Sequence, residues 1–406
     1  MKLTVCVLLA LLLICPAVPS PSRVTLGDDI LLGSEFSLVR GKSVGIVTNQ
    51  SGRLSNGTFL VDTLLARGVK VVALFAPEHG IRGEGGAGEE VRDSIDARTG
   101  ITVFSLYGPT TKPTPAMLRG IQVLVYDIQD VGARFYTYLS TMTLSMEAAA
   151  EAGIPFIVCD RPDPLGGNKI DGPVTEDSLR SFVGMHPVPV IYGLTCGELA
   201  TLINGEGWLS HRIHADLHVV KLRGWTRDMS WEETGLPWVL PSPNIRTPEA
   251  SLVYPGTVYF EATNISEGRG TELPFQIVGA PFVKRYELWS AMTGLNLPGV
   301  RFTAVAFVPA SSKYSGEKCE GIRINVIDRN AYDPLRVGME LLKNLHSMYP
   351  QEFSVRERSL RRLVGSERTV QDILNGVEFE RDREAWQPGL DHFREILGRC
   401  LLYPSR

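Results

Sequence analysis

The chain lacks most of the short signatures by which protein classes are recognised. Its 406 residues hold only six cysteines. Four lie beyond the first twenty positions: Cys159, Cys196, Cys319 and Cys400. They are far apart with no CxxC pair, so spacing suggests neither a zinc site nor a disulfide scaffold, and it assigns no pairing. There is no excess of positive charge: the formal net charge is −4, which argues against nucleic acid or an anionic membrane surface as a partner. An anionic substrate would have to be met by local arginines. No dinucleotide fingerprint follows the first apolar strand, where Asn49-Gln50-Ser51-Gly52 stands instead, so no nucleotide cofactor is expected. No internal repeat, low-complexity tract or long charge run is present.

The one long apolar run opens the chain. Residues 1–20 place a lysine before an apolar stretch from Leu3 to Ile14, followed by small residues and proline. That pattern reads as a secretory signal, too short for a good membrane span. An exported protein, periplasmic or extracellular and not transmembrane, is therefore expected. Ile14 before Cys15 disfavours lipidation.

From Lys42 to about Ala250, short apolar runs alternate with helix-like stretches. Strands are predicted at Val44–Thr48, Val69–Ala76, Thr102–Leu106, Gln122–Asp127 and Pro155–Asp160. Helices are predicted at Gly57–Arg67 and at Tyr136–Ala152, with Gly153 just past the end. Continuous rather than alternating apolar runs suit strands covered on both faces. The order predicts an α/β, Rossmann-like doubly wound, mostly parallel sheet over residues 24–247. A smaller α+β domain follows over 248–406, with strands expected at Val253–Glu261 and Gly321–Ile327. Helices are expected there at Pro334–Ser347 and Asp391–Leu397.

Open α/β sheets bind ligands outside the carboxyl ends of their strands. Those ends carry Asn49; then Glu78, His79 and Arg82; then Asp127, Asp130, Arg134 and Tyr136; then Asp160 and Arg161. Glu78 stands out, because it follows an apolar strand in a glycine-rich loop that lets backbone approach a ligand. A carboxyl held partly dry there suits a general acid. The segment Asn264–Glu272 sets Glu267, Arg269 and Glu272 among glycines, as a ligand-facing loop would.

Several segments together carry a resemblance: PEHGIRGE (77–84), YDIQDVGARFYTY (126–138), DRPDPLGG (160–167), PSPN (241–244), YPGTVYFEATNISEGRGTE (254–272) and KCEGIRINVID (318–328). In this order, over roughly 35–403, they resemble the NamZ family of exo-β-N-acetylmuramidases. The resemblance implies a Rossmann-like domain, a smaller C-terminal domain and a cleft between them. It implies a glycoside hydrolase, with no cofactor, that releases terminal N-acetylmuramic acid (MurNAc) from the non-reducing end of peptidoglycan fragments. MurNAc-GlcNAc saccharides are the partners it points to.

By the same resemblance the PEHG glutamate, Glu78, is the leading catalytic residue. Glu267 or Glu272 could complete the pair, Asp127 and Asp130 lie at the same sheet edge, and the sugar's own N-acetyl group is a further possibility. Arg82, Arg134 and Arg269 are candidates for the lactyl carboxylate, while Asn49, His79, Tyr136, Asp160, Arg161, Asn244 and Asn264 complete the expected binding set. Tyr192-Gly193-Leu194-Thr195 departs from the family's His-Gly-Met-Thr turn, and Asp163 and Arg246 from its DRPNP and PSPN contexts. A sugar-binding protein without catalysis and a metal-dependent hydrolase using His79, Asp127, Asp130 and Asp160 are the rival readings. The second lacks an HxH or HExxH spacing.

Overall fold

The computed structural model describes residues 24–83 and 92–405. The expected signal segment, 1–20, and most of the glycine-rich stretch after Gly83 lie outside the described residues.

Seven strands form one sheet: β1 (Ser43–Thr48), β2 (Lys70–Ala76), β3 (Ser94–Ile95), β4 (Thr102–Ser105), β5 (Val123–Asp127), β6 (Phe156–Cys159) and β7 (Leu217–Val220). Their spatial order is β3-β4-β2-β1-β5-β6-β7, and every pairing is parallel except that of β3 with β4. The chain starts in the middle, builds outward through β2 and β4, then returns to build through β5, β6 and β7. That is the doubly wound plan, with its reversal between β1 and β5.

The apolar runs explain the burial. On β5, Leu124 and Tyr126 enter one core layer while Val123 and Val125 enter the layer on the opposite face. On β6, Phe156 and Val158 face one way, Ile157 and Cys159 the other. A strand with two dry faces needs apolar residues at every position. All four described cysteines are buried as free thiols, so they act as small core residues.

A second, antiparallel sheet has the order β8-β10-β9, from β8 (Ile277–Ala280), β9 (Val300–Phe307) and β10 (Cys319–Val326). The strand expected at Val253–Glu261 is instead helical. Thr247 accepts a hydrogen bond from the Ala250 N–H, Pro248 opens the helix Pro248–Thr257, and a 3₁₀ turn continues over Val258–Ala262. The cap and the N-terminal proline outweigh the strand-like composition of VYPGTVYFE. This helix crosses the helix Pro334–Met348 at Gly256 and Gly338. A Cβ at Gly256 would lie 1.9 Å from the Pro334 carbonyl oxygen, so the backbones touch where a side chain would hold them apart. The helix expected at Asp391–Leu397 is the end of a longer one, Phe379–Leu397, which runs through Pro388.

One buried side chain ties the two parts together. The Arg134 guanidinium, 1% exposed, donates to the carbonyls of Pro173 (2.7 Å) and Val188 (3.2 Å) and to those of Leu363 and Val364 (both 2.8 Å). The last two close the C-terminus of the helix Glu357–Val364, where a cation is favoured. Burial without a carboxylate partner pulls the arginine down to about 10.

Arg134→Met removes these donors and strands four buried carbonyls. Since each bond from a charged donor contributes about 1.5–3 kcal/mol, at least about 3 kcal/mol of unfolding free energy should be lost. A urea titration reads this as a lower midpoint. A loss well below about 1 kcal/mol would show that the clamp is not a main tie.

Candidate active site

A cavity of about 700 Å³ opens over the carboxyl ends of β2, β4 and β5 and is closed by segments from the C-terminal part. The switch point between β1 and β5 is itself occupied by backbone. The Pro241 carbonyl accepts from Tyr138 Oη (2.7 Å), Gln50 Nε2 (2.7 Å) and Asn49 Nδ2 (3.3 Å). This pins the PSPN turn and presents Ser242–Ile245 to the cavity, Asn244 among them. One wall is aromatic. Tyr254 meets Phe135, Tyr136 and Phe275 edge-on, with centroids 5.3, 5.9 and 4.7 Å away. Such faces suit the apolar side of a pyranose ring.

Glu78 lines the cavity at the end of β2, on a turn forced by left-handed backbone at His79 (φ 71°) and Gly80 (φ 78°). A non-glycine residue held there is uncommon and marks a site whose surroundings fix it. The Thr137 hydroxyl donates to Glu78 Oε2 at 2.7 Å. Burial, and then the charge and acceptor of Glu78, push the Tyr107 phenol well up, so it stays protonated and serves as a second donor.

Opposite stands a charged quartet. Glu267, 3% exposed, takes Lys313 Nζ on Oε2 at 2.8 Å and Arg269 Nε on Oε1 at 3.2 Å. Arg269 also pairs with Glu261 and lies over the Phe275 ring at 5.0 Å. Both Glu267 oxygens are thus engaged by cations within the wall. Glu261 spends only Oε1 on Arg269. Burial raises its carboxyl above the usual range, with Arg269 opposing.

Two family models match in tandem: the N-terminal domain of exo-β-N-acetylmuramidase NamZ over residues 44–249 and its C-terminal domain over 252–403. The peptidoglycan β-N-acetylmuramidase NamZ of Bacillus subtilis strain 168 is 45% identical over 383 residues, covering 94% of this chain and 92% of that protein. The chain belongs to the NamZ family of exo-β-N-acetylmuramidases. Crystal structures of two DUF1343 family proteins from Bacteroides fragilis share the fold. One has TM-score 0.87 and 38% identity, covering 94% of this chain and 99% of its own. The other has TM-score 0.78 and 30% identity, covering 95% and 100%.

Membership makes the chain a glycoside hydrolase, and the structure sorts the residues expected to serve one. Glu78, His79, Tyr136, Asn244, Glu267 and Arg269 come together around the cavity. The others are placed elsewhere. Glu272 is 92% exposed, pairs with Arg246 at 2.6 Å and does not line the cavity, because the loop turns its side chain outward. Arg82 is spent on Asp96, with contacts of 2.9 and 3.0 Å, and stacks over Phe59. Arg134 is the buried clamp and, among the described residues, reaches carbonyls and no carboxylate. Asp127 and Arg161 form a buried triad with Asp28, each contact 2.6 Å. Asp160 caps the helix Cys196–Gly205 through the Gly197 N–H and takes hydroxyls from Thr195 and Tyr403. Asn49 holds Pro241 and Ser51, and Asn264 bridges Glu352 and Ser354.

Asp130 lies beneath the site, where the Tyr192 hydroxyl donates to it. The family's altered turn thus enters the core, not the cavity wall. Tyr107, Thr137, Glu261, Lys313 and Arg356 line the cavity but were not singled out from sequence. Glu261 lies within the segment 254–272, where a strand was expected and a 3₁₀ turn forms instead. Among the described residues no group of three or more His, Cys, Asp or Glu side chains could hold a metal ion.

Burial raises Asp130 from 3.8 to about 6. Between those values the native state holds a proton that the unfolded chain has lost. Its stabilising contribution is complete below the unfolded value and fades as pH rises through the native one. The stability deficit of Asp130→Asn relative to wild type should therefore shrink from about pH 4 to about pH 8, as read by chemical denaturation at each pH. A deficit that grows over that span would contradict the assignment.

Proposed function

We propose that this chain removes terminal MurNAc from the non-reducing end of peptidoglycan fragments, with Glu78 as general acid/base and Glu261 as the facing carboxyl. The observation that carries the reading is Glu78 at the cavity wall, oriented by the Thr137 hydroxyl. Glycoside hydrolysis needs one group to protonate the leaving oxygen and another to help water or the sugar's own N-acetyl group attack. Glu261, with one oxygen not engaged by Arg269, can orient the attacking group or steady positive charge developing at the anomeric carbon. Glu267 and Lys313 hold Arg269 and, through it, Glu261. The sequence at 1–20 and a cell-wall substrate together support an exported protein working in the periplasm or outside the cell.

A chromogenic β-MurNAc glycoside and its GlcNAc counterpart, assayed in parallel, test the substrate. Turnover of the first with the second largely untouched is the expected result. Binding of both without turnover would favour a sugar-binding protein, and equal turnover would remove the muramic specificity.

Glu78→Gln keeps size and hydrogen-bonding capacity but has no transferable proton. It should fold as wild type by circular dichroism and lose roughly 10²–10⁴ in kcat. Near-wild-type kcat would exclude Glu78 as the acid.

A further inference from the structure

A lactyl ether ending in a carboxylate distinguishes MurNAc from GlcNAc, and a planar guanidinium is the side chain best shaped to grip it. Among the described residues, three lysine or arginine side chains line the cavity: Arg269, Lys313 and Arg356. Two are already committed. Lys313 spends all three of its donors, on the carbonyls of Phe260 (2.6 Å) and Ile265 (2.9 Å) and on Glu267 (2.8 Å). Arg269 is shared between Glu261 and Glu267 and covered on one face by Phe275. Drawing either toward a substrate anion would leave Glu267, which is buried, short of a counter-charge.

Arg356 differs. Its side chain is exposed at the rim, and one Nη2 hydrogen bond to the Glu261 carbonyl holds it beside the facing carboxyl. Its backbone N–H donates to the Ala262 carbonyl at 2.7 Å. Among the described residues no carboxylate lies within ion-pair distance of it, and its one side-chain hydrogen bond there is the one to the Glu261 carbonyl. It also precedes the helix Glu357–Val364, whose far end Arg134 clamps to the sheet domain. The cation therefore stands on a fixed element at the mouth of a cavity whose other cations are neutralised.

We infer that Arg356 is the specificity-determining residue that reads the lactyl carboxylate of the terminal MurNAc. This rests on the muramidase reading above. A substrate entering the cavity would cover the guanidinium and shield the pair from solvent, which strengthens a contact that is weak when exposed. Arg356 touches the part of the sugar that distinguishes it, away from the bond that breaks, so its contribution falls on binding.

The test uses the mature protein, Arg356→Ala and Arg356→Lys, with two readouts. Calorimetric titration with free MurNAc and with GlcNAc measures binding, and the chromogenic MurNAc glycoside measures turnover. For Arg356→Ala, MurNAc affinity should fall roughly 10–100-fold, as loss of one charge-assisted contact implies, with GlcNAc affinity shifting much less. KM should rise more than kcat falls. Arg356→Lys should recover part of the loss. Added salt should weaken MurNAc binding by wild type more than by the alanine variant. Equal losses for both sugars would mean that Arg356 merely props Glu261, and unchanged MurNAc affinity would mean the lactyl group is read elsewhere; either overturns the inference. If wild type binds MurNAc selectively but fails to turn over the glycoside, the catalytic reading fails while the titrations still decide the role of Arg356.

Discussion

The arrangement of this molecule depends on a guanidinium held among backbone carbonyls. Arg134 belongs to the stretch that follows β5, yet half of its hydrogen bonds reach the end of the helix Glu357–Val364, more than two hundred residues later. A buried cation without a carboxylate is costly, and here four carbonyl dipoles compensate for it in a geometry that tolerates little rearrangement. The cavity depends on that tie. Glu78, Tyr107 and Thr137 come from the sheet domain, while Glu261, Arg269, Lys313 and Arg356 come from the part that Arg134 holds against it.

A second constraint is the disposal of charge at the sheet's carboxyl edge. The doubly wound plan brings Asp127, Asp130, Asp160 and Arg161 to neighbouring strand ends, where ligands commonly bind. In this chain they are consumed internally. Asp127 and Arg161 close a triad with Asp28, Asp160 caps a helix, and Asp130 sits under the Tyr192 hydroxyl. With the Pro241 carbonyl seated over the switch point, the open volume lies over β2, β4 and β5 instead. The edge becomes a platform, and its polar network fixes the loops that carry the chemistry.

The cavity walls divide the work by how their charges are balanced. On the sheet side a carboxylate is oriented by neutral hydroxyl donors, an environment compatible with giving and taking a proton. Across from it, Glu267, Arg269 and Lys313 are interlocked as scaffold, and Arg269 holds Glu261 by one oxygen. How each cation is paired sets apart arginines that composition alone treats as equivalent.

How much was readable in advance follows from the range of the forces involved. Five parallel strands, the helix capped by Gly153 and the α/β class were legible, because two-sided burial writes continuous apolar runs into the chain and a helix stop writes a glycine. The placement of Glu78 at the cavity wall was legible as well, since a strand end followed by glycines is a local pattern. The helix at Pro248–Thr257 was missed because β-branched and aromatic residues hid the Thr247 cap, and with it the position of Glu261. Which carboxylates face solvent, substrate or an arginine was decided only by the tertiary structure. Arg82, Arg134, Arg269 and Arg356 are the same residue type, and their partners lie 2 to 230 positions away. Local sequence determines what each segment can form, but charge pairing is settled by which distant segments the packed core brings within about 4 Å of one another.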